Sequence, residues 1–145
     1  MKTNLNHQLS DPNSKGVEIL SIGTELLLGN IVNTNARWIS EELSKLGLNH
    51  FRQSTVGDNC DRIIRIIQEI SKRSYLLITT GGLGPTPDDL TNEAIAQSFN
   101  AALFERPYLW SELKQKLSNS KLQDNSSSLR KQCFFPKNAQ IINNP

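Results

Sequence analysis

The passage from Tyr75 to Phe99 constrains this chain more than any other. Tyr75-Leu76-Leu77-Ile78-Thr79-Thr80 is a short apolar run that reads as a central strand. Gly81-Gly82-Leu83-Gly84-Pro85-Thr86-Pro87-Asp88-Asp89 follows, and neither a helix nor a strand accommodates it. A helix is predicted from about Thr91 to Phe99. A strand that ends in a glycine loop and restarts as a helix is one unit of an α/β sheet.

The rest of the chain repeats that alternation. Val17-Glu18-Ile19-Leu20-Ser21-Ile22 has the Val and Ile content of a buried strand and closes at Gly23. Asn33-Thr34-Asn35 offers caps for a helix to about Leu46, with Ile39, Leu43 and Leu46 on one apolar face and Gly47 as terminator. His50 to Val56 is a more polar strand, expected near a sheet edge, and Gly57-Asp58-Asn59 is a turn. From about Asp61 to Lys72, Ile63, Ile64, Ile66, Ile67 and Ile70 form a broad stripe, and Lys72-Arg73 reads as the cationic end of that helix. A further helix is predicted from Pro107 to Leu117 and a Ser/Asn/Lys-rich loop from Ser118 to Ser128. Phe134-Phe135 and Ile141-Ile142 are expected to give a turn and one short strand. The β-α-β-α-β-α order predicts a three-layer α/β sandwich with a mostly parallel sheet.

Composition narrows the function classes. At 145 residues the chain is one domain or a little less, on a scale of ~100–200 residues per domain. Its net charge of +2 gives no argument for a nucleic-acid partner. Residues 1–16 are polar and lack a signal-peptide core, so they read as a disordered tail before a domain over 17–145. No apolar run approaches the ~20 residues that span a bilayer. Two distant cysteines, Cys60 and Cys133, exclude a disulfide scaffold and a CxxC site and read as reduced thiols in a cytoplasmic protein. His7 and His50 have no metal-spaced partner, and Trp38 and Trp110 are expected to pack.

Ligands of open parallel sheets bind beyond the carboxyl ends of the strands. Three polar loops fall there: Gly23-Thr24-Glu25, Gly57-Asp58-Asn59, and the stretch Thr79 to Thr91. The third is either a tight proline turn or an anion site of bare backbone N–H groups ahead of a helix N-terminus. It is neither a Walker A loop nor a dinucleotide fingerprint. Asp88 and Asp89 beside a phosphate cradle would repel the ligand unless a divalent cation such as Mg²⁺ sits between, and Asp58 and Glu25 could reach the same region. The plainer alternative is that Asp89 or Thr91 caps the helix.

Ser21-Ile22-Gly23-Thr24-Glu25-Leu26-Leu27-Leu28-Gly29 with Ile31-Val32-Asn33-Thr34-Asn35, then Val56-Gly57-Asp58-Asn59, then Thr79 through Thr91, resemble the motifs of the CinA (competence/damage-inducible protein A) family. Arg130-Lys131-Gln132, Pro136 and Asn144-Pro145 fit as well. The resemblance runs from about Val17 to the end. It implies the fold of MoaB/Mog-like molybdopterin-binding domains, homo-oligomers, and a nucleotide or pterin phosphate as small-molecule ligand. It implies that Thr80, Gly81, Gly82, Gly84, Pro85, Thr91, Thr24 and Glu25 bind the ligand, that Asp58 and Asp89 are catalytic, and that Asp58, Asp88 and Asp89 hold the metal. The activity implied is metal-dependent cleavage of ADP-ribose-like pyrophosphates. The deamidase domain of many members is absent. The Gly-Thr-Ala-Pro-Gly and Leu-Pro-Gly-Pro-Pro stretches expected after Asn-Pro are also missing, so the domain reads as C-terminally truncated. Ser126 to Ser128 stands where members commonly carry Asn.

Overall fold

The computed structural model describes residues 15–118 and 126–142. The elements in chain order are β1 (Val17–Ile22), α1 (Thr24–Leu27), α2 (Thr34–Lys45), β2 (His50–Val56), α3 (Cys60–Arg73), β3 (Leu76–Thr80) and α4 (Thr91–Ser98). Then come β4 (Leu103–Glu105), α5 (Pro107–Ser118), α6 (Ser126–Arg130), a 3₁₀ turn (Lys131–Cys133) and β5 (Phe134–Pro136).

β1 is the middle of a parallel sheet of order β2-β1-β3, and all six of its residues are buried. β2 is an edge strand, as its polar sequence predicts, but β3, expected to be central, is the other edge among the described residues: it pairs with β1 alone and none of its residues is fully buried. The chain runs from β1 out to β2 through α2, then back across β1 to β3 through α3. Right-handed crossovers in opposite directions put their helices on opposite faces. The packing follows: Val17 and Ile19 meet Ala36 and Leu43 of α2, while Leu20 and Ile22 meet Ile63, Ile67 and Ile70 of α3 and Ala94 of α4. Alternate residues of one strand thus serve two cores, and the molecule is a three-layer α/β sandwich. Each fully buried isoleucine contributes about 1.5–3 kcal/mol.

The helix starts are set locally. Asn33 Oδ1 accepts the Ala36 N–H at 3.0 Å, and Asn59 Oδ1 accepts the Arg62 N–H at 3.1 Å. Gly47 ends α2 at φ 70°.

Several expectations are corrected. Leu46 is not on the apolar face of α2: it is the C-cap and 72% exposed. Trp38 does not pack, being 62% exposed. Arg73 is more than a helix end, because it pairs with buried Glu18. Thr24–Leu27 is a helical turn that the sequence did not announce. Ser126 to Ser128, expected in a loop, begin α6, while residues 119–125 of that loop lie outside the described residues. Phe134–Pro136 is a strand, and its antiparallel partner Leu103–Glu105 was not foreseen. Residues 1–14 of the expected tail lie outside the described residues. Gly16 is buried and accepts the Tyr75 N–H at 3.1 Å, so it belongs to the folded unit.

Candidate functional site

Parallel register brings three loops to one edge. Ile22 faces Val56 and Ser21 faces Thr80, so the carboxyl ends of β1, β2 and β3 finish together. The winding reverses between β1 and β3, and the crevice above that reversal is where open α/β sheets bind ligands.

The β3 loop is pressed against the end of β1. Gly81 has φ 95° and Gly82 φ 61°. A Cβ on Gly81 would sit 1.9 Å from the Ile22 carbonyl oxygen, and one on Gly82 would sit 2.4 Å from Thr91 Oγ1. Only glycine fits this backbone. The Thr91 hydroxyl donates to the Gly81 carbonyl at 2.7 Å and the Thr91 N–H to the Gly82 carbonyl at 3.2 Å. The first N–H of α4 is therefore occupied, while those of Asn92 and Glu93 have no protein acceptor among the described residues. The N–H groups of Gly82 and Leu83 have no protein acceptor among the described residues. Pro85 is half-buried in the same loop.

The acidic residues divide by role. Asp89 Oδ2 accepts the Thr86 N–H at 2.9 Å and the Thr86 hydroxyl at 2.5 Å. Asp88 Oδ1 also accepts from the Thr86 hydroxyl. Burial pushes the Asp89 carboxyl up, but bonds from Thr86 and the Gly84 N–H and the charge of Lys131 outweigh it and leave its pKa below the usual value. Asp89 is thus an ionised staple inside the loop, and neither it nor Thr91 side-chain caps α4, whose N-cap is Leu90. Asp58 Oδ2 accepts the Thr24 N–H at 2.8 Å, and the Asp58 N–H donates to Thr24 Oγ1 at 3.1 Å. That exchange joins the β1 and β2 loops. Glu25, exposed on α1, folds its carboxylate back over Gly23. Among the described residues no group of three or more His, Cys, Asp or Glu is disposed to hold a metal ion. Asp58, Asp88 and Asp89 therefore do not form a ready-made protein cage.

Two contributors escaped the sequence reading. The Lys131 ammonium donates to the carbonyls of Thr86, at 3.1 Å, and Asp89, and pairs with Glu93 at 3.3 Å. Its three donors are engaged, so it braces the loop rather than offering a bare cation. Gln132 Nε2 donates to the Leu83 carbonyl at 3.0 Å from the same 3₁₀ turn. Both act across more than forty residues of sequence, and only their membership of the Arg130-Lys131-Gln132 segment marked them. His50 Nε2 lies 2.9 Å from the Arg52 carbonyl, a local contact. Cys60 and Cys133 are free thiols, and burial raises the pKa of both above the ordinary value, which favours the thiol over the thiolate.

Comparison with known proteins now decides the family. Residues 18–143 match the family model described as a probable molybdopterin binding domain. The chain belongs to that family. Within it the resemblance is CinA-like. A CinA-like protein of Prochlorococcus marinus strain MIT 9301 is 87% identical over 134 residues, covering 92% of this chain and 32% of that protein. One from Synechococcus sp. strain CC9311 is 58% identical over 130 residues, covering 90% and 30%. The chain thus spans about a third of the length of these curated relatives. The crystal structure of CinA, of unknown function, from Thermoplasma acidophilum superposes with a TM-score of 0.80 at 31% identity, covering 92% of this chain and 77% of that one. The molybdopterin biosynthesis enzyme MoaB of Thermus thermophilus shares the fold, with a TM-score of 0.53 at 23% identity over 79% of this chain and 70% of that one. Among the described residues no helix is long and apolar enough to cross a membrane.

Proposed function

We propose that this CinA-like molybdopterin-binding-type domain binds the phosphate of a nucleotide or pterin at the Gly81–Gly84 loop. The observation that carries the reading is the pair of unpaired N–H groups at Gly82 and Leu83, on a backbone bent through two positive-φ glycines. Successive amides in such a bend form a concavity for an anion. A phosphate oxygen would supply the acceptor that both amides lack within the protein. The names of the MoaB and Mog neighbours, which belong to molybdopterin biosynthesis, agree with a pterin-sized ligand.

Turnover is a second reading, favoured by Asp58. One of its oxygens is fixed by Thr24 and the other has no protein partner among the described residues, which suits a carboxylate that orients water against a pyrophosphate. A divalent cation arriving on the phosphates needs only one or two carboxylates, and Asp58 and Asp88 would be its contacts. Bound there it would polarise a phosphoryl oxygen.

Isothermal titration calorimetry with pyrophosphate and ADP-ribose, with and without MgCl₂, tests the binding. Wild type is expected to bind, and Gly82→Ala to lose binding at least tenfold. No heat from either ligand would sink the reading. AMP release from ADP-ribose tests turnover, and Asp58→Asn should abolish it.

A further inference from the structure

The loop after β3 is built from residues that give its backbone unusual freedom. Gly81 and Gly82 flank one peptide plane, at φ 95° and 61°. With no Cβ on either side, little in the chain itself stops that plane from turning over. A turned plane would exchange its N–H for its carbonyl oxygen and face an anion with partial negative charge. A cradle of bare glycine amides therefore needs something to hold each plane the right way round.

Thr91 holds two of these planes at once. Its hydroxyl donates to the Gly81 carbonyl at 2.7 Å, and its N–H donates to the Gly82 carbonyl at 3.2 Å. In a planar trans peptide the N–H points opposite to the carbonyl. The two carbonyls converge on Thr91, so the N–H groups that share their planes, those of Gly82 and Leu83, point away from it. Thr91 is fully buried, whereas Gly82 is part-exposed and Leu83 is 51% exposed, so away from Thr91 is toward solvent. The next plane is locked by other groups. Gln132 Nε2 holds the Leu83 carbonyl at 3.0 Å, and the Gly84 N–H of the same plane goes to the Asp89 carboxylate. Two free amides thus face outward because one buried threonine holds the carbonyls behind them.

We propose that Thr91 is a positioning residue, which serves the bound anion without touching it by aiming the Gly82 and Leu83 amides. The CinA resemblance places Thr91 among the ligand-binding residues, and its burial leaves it no surface of its own for a ligand. The proposal rests on the phosphate reading of the glycine loop and adds what keeps the cradle in its binding orientation.

Calorimetry with pyrophosphate on wild type, Thr91→Ser and Thr91→Val, each well below its melting temperature, tests it, together with amide exchange of free wild type read by NMR. Thr91→Ser keeps the hydroxyl and should bind within about threefold of wild type. Thr91→Val keeps the shape and the backbone N–H but loses the hydroxyl, and should bind at least about tenfold more weakly while folded. In free wild type the Gly82 and Leu83 amides should exchange quickly beside a protected Thr91 amide. A folded Thr91→Val that binds like wild type overturns the proposal and leaves the phosphate reading standing, since Thr91 would then serve the fold alone. Thr91→Ser as weak as Thr91→Val also overturns it, because the methyl rather than the hydroxyl would matter. Protected Gly82 and Leu83 amides in free wild type overturn it too, and that measurement decides even where Thr91→Val fails to fold. Wild type that binds no pyrophosphate ends both readings.

Discussion

Thr24 and Asp58 exchange hydrogen bonds across two loops: the Thr24 N–H donates to Asp58 Oδ2 at 2.8 Å, and the Asp58 N–H donates to Thr24 Oγ1 at 3.1 Å. Each residue satisfies a backbone donor of the other, so the β1 and β2 loops hold one relative position at the rim of the site. Gly57 lies under the exchange, where a Cβ would stand 3.1 Å from Thr24 Oγ1.

Asp58→Ala removes the acceptor for Thr24 and should cost about 1 kcal/mol, the usual net worth of such a bond near the surface. Asp58→Asn keeps an acceptor and should recover most of that stability. Urea denaturation separates the two variants. If Asp58 also acts on the ligand, Asp58→Asn will fold like wild type yet release no AMP from ADP-ribose. An Asp58→Asn variant with full turnover would reduce Asp58 to a loop staple.

Gly81→Ala and Gly47→Ala make a controlled pair. Both positions have positive φ, at 95° and 70°, and both variants pay the left-handed backbone cost of about 1–2 kcal/mol. A Cβ at Gly47 meets nothing within 4 Å, whereas at Gly81 it would lie 1.9 Å from the Ile22 carbonyl oxygen. Gly81→Ala must move the loop or the end of β1. It should therefore lower stability by at least about 1 kcal/mol more than Gly47→Ala and lose ligand binding, which thermal melts and calorimetry read directly.

What the sequence made legible was whatever repeats locally. The isoleucines of α3 recur with the helical period, and Ile63, Ile67 and Ile70 are the buried ones. The polarity of His50 to Val56 marked an edge strand. The glycine loop could be placed because it ends a strand. Long-range pairing was not legible, since nothing in a helix-ending Arg73 points to Glu18, 55 residues earlier, and nothing in Lys131 points to Asp89. Three-residue strands such as Leu103–Glu105 are too short to show a period. Trp38 misled because aromatic residues usually pack. It lies about 200° around α2 from Ala36, off the stripe that faces the sheet. The role of Asp89 was half legible: its place beside the loop was evident, but its service to Thr86 is a matter of backbone geometry.

Lys131→Met tests the brace. It removes donors to the Thr86 and Asp89 carbonyls and the partner of Glu93. The loss should be about 1–2 kcal/mol. The sharper readout is local. Amide hydrogens in the loop after β3, that of Thr86 above all, should exchange faster, while those of β1 stay protected until global unfolding. Uniform acceleration across the chain would show that Lys131 supports the whole fold rather than this loop.

Glu18 makes the stability of the domain depend on acid. It is buried to 1% on the central strand, at the end of the sheet away from the ligand loops. Arg73 donates to it twice, at 2.6 and 3.0 Å, and Ser54 and Ser74 add bonds at 3.1 and 3.2 Å. Burial pushes the carboxyl up, and the bonds and charge of Arg73 with the two serines more than reverse it, so its pKa in the folded protein lies below the ordinary 4.5. A carboxyl lowered by folding stabilises at pH above its unfolded value and loses that contribution as pH falls through the folded one. Urea midpoints should therefore be level from neutral pH down to the ordinary carboxylate range and then fall as Glu18 takes up a proton. Arg73→Ala strands a buried carboxylate and should cost about 3 kcal/mol at neutral pH. With Arg73 gone, burial dominates and Glu18 titrates at higher pH, so the variant should lose less on acidification than wild type. Glu18→Gln should flatten the same part of the profile. Wild-type and Glu18→Gln profiles that run parallel through acid would place the acid sensitivity elsewhere.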